Sequence, residues 1–434
     1  MNVSVIGAGY VGLVAACCLA NSGHNVICIE NNREKCLMLI NGHVPFFEKG
    51  LEALLARGLE NGKLNFYSNI SYAKYSEVIM VAVGTPSQPD GRVDLSQIFR
   101  VMSEISEMIS TPVTLIMKST VPPGLGLQLQ QRFLNGNSHL ISYVSNPEFL
   151  REGRAVKDWY DPERIVAGTE IPGTIEILRK LYNDIGAPLC IMDISSAEMV
   201  KYASNAFLAT KISFINEIAN LCELVGADIE PVARAVGMDS RIGSHFLQAG
   251  LGYGGSCFPK DTKGLDFIST LNGHTFNLLK AVIEVNARQR VVAIRKLSRM
   301  LGTLCGKRIA VLGLSFKPGT DDIRESPSLD IIRMLVDEGA EVSAFDPMAR
   351  LPQHRGIPQG FIMCTDVLDA LESCHGAVVI TEWREFVELD WEKAHSLMIP
   401  PRVVLDGRNC LDPLKLSALG YVYAGMGRMS GKLC

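Results

Sequence analysis

A cysteine lies in a glycine-containing loop in the run Gly254-Gly-Ser-Cys-Phe-Pro-Lys-Asp261. The two glycines before Cys257 let a ligand approach the thiol closely, because glycine has no side chain to block it. Lys260 is placed to favour the thiolate, the nucleophilic form of cysteine, and Asp261 is placed to orient water or another side chain. The run predicts covalent catalysis by Cys257, and the alternative is a buried structural thiol.

A second motif near the amino terminus, Gly7-Ala-Gly-Tyr-Val-Gly12, fits GxGxxG. It follows an apolar strand, opens a helix, and is followed by Glu30 at the end of the next strand, which is the context of a dinucleotide site. The glycines allow a pyrophosphate to approach the helix N-terminus. Glu30 can accept hydrogen bonds from a ribose diol and would repel a 2′-phosphate, so NAD is expected rather than NADP. Arg33 argues the other way, because an arginine there can accommodate a phosphate.

Apolar strands and helices alternate around this second motif. Strands are predicted at residues 3–6, 25–29, 78–83 and 113–117, with a helix over 12–21. Continuous apolar strands separated by helices are typical of a parallel sheet covered on both faces.

The strand pattern starts again near residue 308. Strands predicted at 308–313, 340–346, 377–381 and 402–406 repeat the order of the first set. The turn Gly313-Leu-Ser-Phe-Lys-Pro318 lacks GxGxxG, because Phe316 and Lys317 stand where a dinucleotide fold needs glycine. This half is predicted to hold a nucleotide other than NAD, with Lys317 on a phosphate and Phe316 against a ring.

Helical periodicity lies between the two halves, over 195–226 and again over 276–300. The first of these helices is long for a globular protein, which suits a spacer and a dimer surface. It carries Lys201 and Asn205 four residues apart, and therefore on one face. The predicted fold class is α/β, with two Rossmann-like doubly wound domains joined by a long central helix. Domains are expected at 1–194 (NAD binding), 195–300 (helical, with the dimer surface and catalytic loop) and 301–434 (a second nucleotide).

Composition excludes several classes of function. A chain of 434 residues is expected to form two or three domains, and its net charge of -4 gives no general attraction to nucleic acid or anionic membranes. No apolar run approaches the roughly 18 residues that span a bilayer, and no secretory signal precedes the first strand, so a cytoplasmic protein is expected.

The twelve cysteines include no CxxC pair, which predicts reduced thiols. No metal site is predicted, since the histidines lack ligand spacing, and the tail from Gly425 is expected to be loosely ordered.

Six motifs in one order resemble the nucleotide-sugar dehydrogenases, a family that oxidises a sugar alcohol to a uronic acid in two steps. The resemblance covers nearly the whole chain. The motifs are Gly7–Gly12, Val83-Gly-Thr-Pro86, Ser119-Thr-Val-Pro122, Asn146-Pro-Glu-Phe-Leu-Arg-Glu152, Gly254–Asp261 and Gly313-Leu-Ser-Phe-Lys-Pro-Gly-Thr-Asp-Asp-Ile-Arg-Glu-Ser-Pro327.

Within that family, Arg241-Ile-Gly-Ser-His-Phe-Leu247 and Ser256 resemble the branch that acts on UDP-glucose. The N-acetylhexosamine branch usually has histidine before the cysteine, and the GDP-mannose branch shares Gly-Gly-Ser-Cys without the Arg-Ile-Gly stretch. The resemblance therefore implies UDP-glucose as substrate, with GDP-mannose as the nearest alternative, and NAD as cofactor. A homodimer or a higher homo-oligomer is expected.

The resemblance also implies a role for each catalytic position. Cys257 attacks the C6 aldehyde, and the thiohemiacetal is oxidised to a thioester, so the aldehyde is never released. Lys201 and Asn205 stabilise negative charge on the C6 oxygen. Asp261 positions water or takes its proton, and Glu148 is a second candidate for activating water during thioester hydrolysis. Lys201 is also a candidate base for the first oxidation. Thr120 holds a water beside the nicotinamide.

Binding positions carry over in the same way. The implied cofactor set contains turn residues and nearby polar side chains: Gly7, Gly9, Tyr10, Val11, Gly12, Glu30, Arg33, Thr85, Thr120, Glu152, Lys260 and Arg324. The implied substrate set spans the central loops and the second half: Glu148, Phe149, Leu150, Lys201, Asn205, Arg241, Phe246, Gly250, Tyr253, Gly254, Phe316, Lys317 and Arg408. Arg241 is expected to reach a neighbouring subunit's site. Placing Lys260 beside NAD competes with its placement beside the thiol.

Two other classes of function stay open. One is a single-step oxidoreductase of the hydroxyacid type, in which Cys257 is structural. The other is a protein that binds a nucleotide sugar without turnover.

Overall fold

The structure is a computed structural model that describes residues 1–351 and 357–428. The chain divides into two compact units. Unit 1 comprises Met1–Ser204 and Lys263–Ile268, and unit 2 comprises Asn205–Thr262 and the chain from Ser269 onward. Over the described ranges, no helix has both the length and the apolar character needed to cross a bilayer.

Strands and helices alternate through most of the described chain. The strands are β1 (Asn2–Ile6), β2 (Asn25–Ile29), β3 (Leu64–Tyr67), β4 (Val78–Val81), β5 (Val113–Met117), β6 (Ile141–Ser145), β7 (Ile165–Gly168), β8 (Leu189–Met192), β9 (Arg308–Leu312), β10 (Glu341–Phe345), β11 (Phe361–Met363), β12 (Gly376–Val379), β13 (Val403–Asp406) and β14 (Val422–Gly425). The α-helices are α1 (Tyr10–Asn21), α2 (Arg33–Ile40), α3 (Leu51–Glu60), α4 (Ser96–Met108), α5 (Leu125–Leu129), α6 (Ala155–Tyr160), α7 (Gly173–Leu181), α8 (Ile194–Val225), α9 (Ile229–Gly237), α10 (Phe258–Leu271), α11 (Asn277–Leu301), α12 (Pro327–Asp337), α13 (Val367–Leu371), α14 (Arg384–Val387), α15 (Trp391–Leu397) and α16 (Pro413–Ala418).

Unit 1 is built on an eight-stranded sheet in the order β3-β2-β1-β4-β5-β6-β7-β8. Its pairings are parallel except between β6 and β7, which run antiparallel. The strands predicted from the sequence, β1, β2, β4 and β5, pair in parallel as expected. Strand β4 is fully buried. Val78 and Met80 face one hydrophobic cluster, while Ile79 and Val81 face another. Both faces of the sheet are therefore covered, which explains why these strands read as continuous apolar runs.

Unit 2 contains a six-stranded sheet in the order β11-β10-β9-β12-β13-β14, with every pair parallel. Strand β9 shows the same two-faced burial, since Ile309 and Val311 face one cluster and Ala310 and Leu312 another. The first six strands of unit 1 have the same order, so the predicted repeat of one doubly wound fold is confirmed.

The predicted element ends agree with the structure to within two residues. The strand predicted at 25–29 is β2, and the helix predicted over 195–226 is α8, which joins the two α/β folds. The prediction of a loosely ordered tail is wrong at its start, because Gly425 ends β14 and Met426 is completely buried. Residues 429–434 of that predicted tail lie outside the described residues.

A buried aspartate organises the first turn of the second fold. One oxygen of Asp346, at the end of β10, accepts hydrogen bonds from the backbone N–H groups of Leu314 and Ser315 over 2.7 and 2.9 Å. The same oxygen also accepts from the Ser315 hydroxyl and from the Trp383 indole. Asp346 is 5% exposed, so these buried donors depend on it rather than on water.

Replacing Asp346 by alanine should lower the free energy of unfolding by about 3 kcal/mol or more, because several buried donors lose their acceptor. The measurement is denaturant unfolding followed by tryptophan fluorescence, to which Trp383 and Trp391 of unit 2 contribute. Asp366→Ala is the matched control, since the exposed Asp366 accepts from a single backbone N–H, that of Leu368, and should cost about 1 kcal/mol. Equal losses in the two variants would contradict the expectation.

Candidate active site

A cavity of about 650 Å³ opens at the carboxyl ends of the central strands of unit 1. Its walls come from the turns after β1, β2 and β4 and from one face of α4. Ligands of doubly wound sheets bind in this crevice. The lining includes the predicted residues Gly7, Gly9, Glu30 and Arg33, and also Lys35 and Arg100, which were not predicted.

The glycines of the first motif fit a bound pyrophosphate. Gly7 has a φ of 97°, and a Cβ there would lie 2.7 Å from the carbonyl oxygen of Ala82. A Cβ on Gly12 would lie 1.9 Å from the carbonyl oxygen of Gly7, so the turn and helix α1 can pack this closely only without side chains. A Cβ on Gly9, which caps α1, would have nothing within 4 Å. The start of the helix is therefore open to an anionic group.

Glu30 is fixed in this cavity by two partners. Its Oε1 accepts from the backbone N–H of Asn32 over 3.0 Å, and its Oε2 pairs with the Lys35 ammonium over 3.0 Å. Glu30 is 8% exposed, so the ion pair holds the carboxylate at the position where a ribose diol is expected. The sequence analysis missed Lys35 because it lies in the first turn of α2, beyond the motif.

Tyr10 connects the first motif to the Glu152 turn. Its hydroxyl accepts from the backbone N–H of Gly153 over 2.6 Å, and its ring packs on Phe46 with centroids 4.9 Å apart. Val11 and Glu152 are half-buried, and Thr85 is buried. The structure therefore brings Tyr10 to the backbone residue that follows Glu152, within unit 1.

Glu148 and Lys201 form a buried ion pair. The Lys201 ammonium donates to Glu148 Oε1 over 3.0 Å, and the two side chains are 5% and 6% exposed. The backbone N–H of Leu150 donates to the other oxygen over 2.6 Å, and Lys201 Nζ lies 5.3 Å from the centre of the Phe149 ring. Because breaking such a pair would leave an uncompensated charge, each side chain holds the other in place.

A buried lysine that the sequence analysis missed lies near this pair. Lys118, just after β5, donates to Asn146 Oδ1 over 3.1 Å. Its ammonium lies 5.7 Å from the ring centres of both Trp159 and Tyr182. Burial lowers the pKa of Lys118 to about 8, opposed by the charge of Glu148. The sequence signal was a charged residue directly after a buried central strand.

The loop after Thr120 is anchored to helix α8. Glu198, one turn before Lys201, accepts from the backbone N–H groups of Gly124 and Gly126 over 2.6 and 2.8 Å. Burial raises the pKa of Glu198 to about 7, against the lowering effect of these two hydrogen bonds. Thr120 is half-buried at the start of this loop.

Cys257 immediately precedes helix α10. The backbone N–H of Asp261 donates to the Cys257 carbonyl over 2.8 Å, which closes the first turn, and the Ser256 hydroxyl lies 3.6 Å from the sulfur. A cysteine at a helix N-terminus is stabilised as thiolate by the orphan N–H groups there. The helix start thus joins Lys260 as a candidate cause of thiol activation.

Asp261 orients two side chains of unit 2. Its Oδ2 accepts from Asn205 Nδ2 over 2.5 Å, and its Oδ1 pairs with the Lys260 ammonium over 2.6 Å. Asp261 is 1% exposed, so its carboxylate is shielded from bulk water, whereas the Lys260 side chain is 16% exposed. Asp261 was expected to orient water or another side chain. The side chain that donates to its carboxylate in the structure, besides Lys260, is Asn205. Both predicted placements of Lys260, beside the thiol and beside NAD, stay predictions.

The loop before Cys257 is fixed by polar side chains that the sequence analysis missed. Asn216 Oδ1 on α8 accepts from the backbone N–H of Gly250 over 2.8 Å. On α11, Asn286 Oδ1 accepts from the N–H of Tyr253 over 2.8 Å, and Arg290 donates to the Tyr253 carbonyl over 3.0 Å. All three are nearly fully buried. The sequence signal that could have identified these residues is a polar side chain at an apolar position of a helical pattern.

The glycines next to Cys257 allow close backbone contacts. A Cβ on Gly254 would lie 2.3 Å from the carbonyl oxygen of Glu325, and one on Gly255 would lie 2.8 Å from the Phe316 ring. Phe316 therefore packs on the cysteine loop. Phe246 has a φ of 64°, which is strained for a bulky residue, and strain of this kind concentrates at binding sites.

The predicted cationic residues of unit 2 separate into two groups. Lys317 lies with its ammonium 5.5 Å from the Phe316 ring centre, and Arg408 donates to the Phe316 carbonyl over 3.2 Å. Arg241 and Arg324, in contrast, are exposed and pair with the nearby Asp239 and Asp322. Among the described residues, no cluster of three or more histidine, cysteine or acidic side chains could hold a metal ion.

The chain matches family models along most of its length. Residues 1–186 match the NAD binding domain of the UDP-glucose/GDP-mannose dehydrogenase family, residues 195–288 its central domain, and residues 310–413 its UDP binding domain.

Similarity to individual proteins extends over the full chain. UDP-glucose 6-dehydrogenase TuaD of Bacillus subtilis is 43% identical over 431 residues, covering 98% of this chain and 93% of that protein. UDP-glucose 6-dehydrogenase YwqF of Bacillus subtilis is 44% identical over 438 residues, covering 99% and 98%. The structure of a UDP-glucose dehydrogenase from Pyrobaculum islandicum has a TM-score of 0.90 and 37% identity, covering 99% of this chain and 98% of that one. The chain therefore belongs to the UDP-glucose/GDP-mannose dehydrogenase family.

Proposed function

We propose that the chain is an NAD-dependent UDP-glucose 6-dehydrogenase that converts UDP-glucose to UDP-glucuronate. The observation that carries the proposal is Cys257 at the start of α10, four residues before an aspartate that holds Asn205. A thiol there supports a covalent second oxidation, and the relatives described above carry the name of this activity. GDP-mannose is the alternative substrate.

The first oxidation needs removal of the C6 hydroxyl proton. Lys201 and Glu148 are the candidate bases within unit 1, and their ion pair of 3.0 Å allows the proton to pass between them. Lys201 and Asn205, one turn apart on α8, are proposed to donate hydrogen bonds to the C6 oxygen, because a four-residue spacing puts them on one face of the helix. NAD held at Gly7–Gly12 and Glu30 would accept one hydride in each oxidation, and a second NAD would replace the first NADH before the second oxidation.

The second oxidation passes through the thiol. The Cys257 sulfur adds to the C6 aldehyde, whose oxygen takes up a proton, and gives a thiohemiacetal. Loss of a hydride to NAD and of the hydroxyl proton to a base then leaves a thioester. Water then cleaves the C–S bond, which releases the carboxylate and regenerates the thiol. Asp261 is the proposed group that positions this water, because its carboxylate is held rigidly by Asn205 and Lys260. Thr120 is proposed to hold a water beside the nicotinamide.

Unit 2 is proposed to bind the nucleotide sugar. Lys317 and Arg408 converge on Phe316, and both carry the charge that a diphosphate needs. Phe149, Leu150, Phe246, Gly250, Tyr253 and Gly254 are the proposed sugar contacts. Thr85, Glu152, Lys260 and Arg324 are proposed to contact NAD. The segments 1–194, 195–300 and 301–434 are proposed as the NAD-binding, central and UDP-sugar-binding domains.

A homodimer or a higher homo-oligomer is proposed from the surface of α8. Phe207, Phe214 and Leu221 are spaced by seven residues and are 66%, 54% and 52% exposed. Side chains at this spacing form one apolar line along a helix, which suits a second copy of the same helix. Arg241 is proposed to reach the neighbouring subunit's site. A cytoplasmic location is proposed because the described cysteines form no disulfides, as in a reducing compartment.

The product ratio tests the proposed function. Purified protein should form about two NADH for each UDP-glucose consumed, because an aldehyde bound to Cys257 is oxidised again before release. NADH is measured by absorbance and the sugar products by chromatography, with UDP-galactose, GDP-mannose and UDP-N-acetylhexosamines as parallel substrates. One NADH with released aldehyde would select a single-step oxidoreductase, and none with any sugar would select a binding protein.

Replacing Cys257 by alanine should abolish UDP-glucuronate formation, with a loss of at least about 10³-fold in kcat, because the covalent intermediate cannot form. UDP-glucose binding, measured by calorimetry, should stay near the wild-type Kd. Cys305→Ala is the matched control, since Cys305 is an exposed cysteine of the same unit. Near wild-type product formation by the Cys257 variant would reject the thioester mechanism.

Replacing Glu30 by alanine should weaken NAD binding about tenfold or more, because charge-assisted hydrogen bonds to the ribose are lost. The preference for NAD over NADP should also shrink, since Arg33 and Lys35 stay in the cavity without the repelling carboxylate. Titration of the enzyme with each cofactor measures both effects. Glu34→Ala is the control, because it removes an exposed carboxylate from α2, the helix that carries Arg33 and Lys35. An unchanged preference would remove Glu30 from this role.

A further inference from the structure

Glu48 is a buried glutamate to which no step above assigns a role. It lies in the loop before α3, belongs to unit 1 and is 4% exposed. Its Oε2 accepts from the backbone N–H of Gly153 over 2.8 Å, and its Oε1 accepts from that of Val156 over 3.4 Å. These donors lie 105 and 108 residues further along the chain. Glu48 therefore holds a segment that it meets only through folding.

That segment is the turn that joins Glu148 to helix α6. Three backbone N–H groups of the turn donate to carboxylates: Leu150 to Glu148 over 2.6 Å, Arg151 to Asp158 over 3.0 Å, and Gly153 to Glu48 over 2.8 Å. Glu148 and Asp158 belong to the same stretch of chain as the turn. Glu48, in contrast, ties the turn to a distant segment of unit 1.

The backbone of Gly153 makes this hydrogen bond important for its neighbour. Gly153 has a φ of 82°, a left-handed conformation that glycine adopts at low cost and can also leave at low cost. Glu152 directly precedes it, so a change in the Gly153 backbone would redirect the Glu152 side chain. Hydrogen bonds to a carboxylate are roughly twice as strong as those to a neutral acceptor. Glu48 therefore selects one conformation of the turn.

The Gly153 N–H is also shared with Tyr10, whose hydroxyl oxygen lies 2.6 Å from it. Tyr10 is the first residue of α1, the helix whose start is open to a pyrophosphate. Its ring packs on Phe46, two residues before Glu48. The segment 46–48 thus contacts α1 through a ring and the Glu152 turn through a carboxylate.

We propose that Glu48 is a positioning residue for NAD binding: by holding the Gly153 N–H together with Tyr10, it fixes Glu152 relative to the glycine turn at the start of α1. This inference rests on the proposed function, because the contact of Glu152 with NAD belongs to that proposal. Glu48 itself acts through the backbone of the turn.

The first test is calorimetric titration of NAD into Glu48→Gln and Glu48→Met. Glutamine keeps a neutral acceptor of the same length, whereas methionine removes the acceptor. The Kd of NAD should rise about threefold in the glutamine variant and about tenfold or more in the methionine variant. Glu52→Gln is the matched control, because Glu52 is an exposed glutamate in the first turn of α3, and its Kd should not change.

The second test separates positioning from general damage to the fold. The KM for NAD should rise in the same order as the Kd, while kcat at saturating NAD changes by less than about threefold, because the loss is in binding. The Kd of UDP-glucose should stay near the wild-type value, since Glu148 keeps its own bond to the Leu150 N–H. The Tm of each variant without ligands shows how much stability is lost.

The third test is a double-mutant cycle on the Kd of NAD with Tyr10→Phe and Glu48→Met. Either single variant leaves the Gly153 N–H one of its two acceptors, whereas the double variant removes both. The double variant should therefore lose more affinity than the two single losses multiplied together. Losses that simply multiply would overturn the shared hold on Gly153.

Graded loss of NAD affinity with UDP-glucose binding unchanged supports the proposal. A folded methionine variant with a lower Tm and an unchanged Kd of NAD overturns it, because a purely structural role has that effect. Equal losses for NAD and UDP-glucose overturn it as well. If Glu48→Met does not fold, the glutamine variant decides, and an unchanged Kd there overturns the proposal.

Glu152→Gln separates this inference from the proposed function on which it rests. Weaker NAD binding in Glu152→Gln with unchanged binding in both Glu48 variants would reject the role of Glu48 alone. Unchanged NAD binding in Glu152→Gln would reject the proposed contact of Glu152 with NAD, and the inference about Glu48 with it.

Discussion

Buried charges need partners, and this requirement governs the arrangement of chemistry along helix α8. Lys201 reaches Glu148 over 3.0 Å in unit 1, and one turn later Asn205 reaches Asp261 over 2.5 Å in unit 2. Lys201 and Asn205 are both buried. Neither side chain can rotate away without leaving its carboxylate partner unsatisfied. The helix therefore presents its functional side chains in fixed rotamers, and the chain segments that carry Glu148 and Asp261 are held by the same contacts.

The two doubly wound folds use the same topology for different purposes. Glu30 follows β2 in the first fold, and its carboxylate faces a cavity of about 650 Å³. Asp346 follows β10 at the equivalent place, but its carboxylate accepts hydrogen bonds from the turn after β9. That turn is closed by the protein's own side chain. The absence of GxGxxG from the second fold and the inward aspartate thus agree that NAD belongs to the first.

The cysteine loop is an example of structure that depends on distant residues. Gly254 and Gly255 permit contacts with Glu325 and Phe316 that any side chain would prevent. Asn286 and Arg290 hold Tyr253 from α11. Every one of these partners lies more than thirty residues away along the chain. A loop that carries a nucleophile must be rigid to keep the sulfur in place, and here the rigidity comes from residues outside the loop.

The sequence by itself determined the repeated α/β fold, the long helix, the NAD motif and the identity of Cys257, because these features depend on local periodicity, turn-forming glycines and residue type. It also supplied Lys201 and Asn205, whose four-residue spacing places them on one helix face. Tertiary structure decided what each side chain contacts. The Lys35 partner of Glu30, the Asn205 partner of Asp261 and the burial of Lys118 beside Trp159 and Tyr182 all join residues brought together by folding. Hydrogen bonds and burial depend on distance in space, and the order of residues does not specify that distance until the sheets have packed.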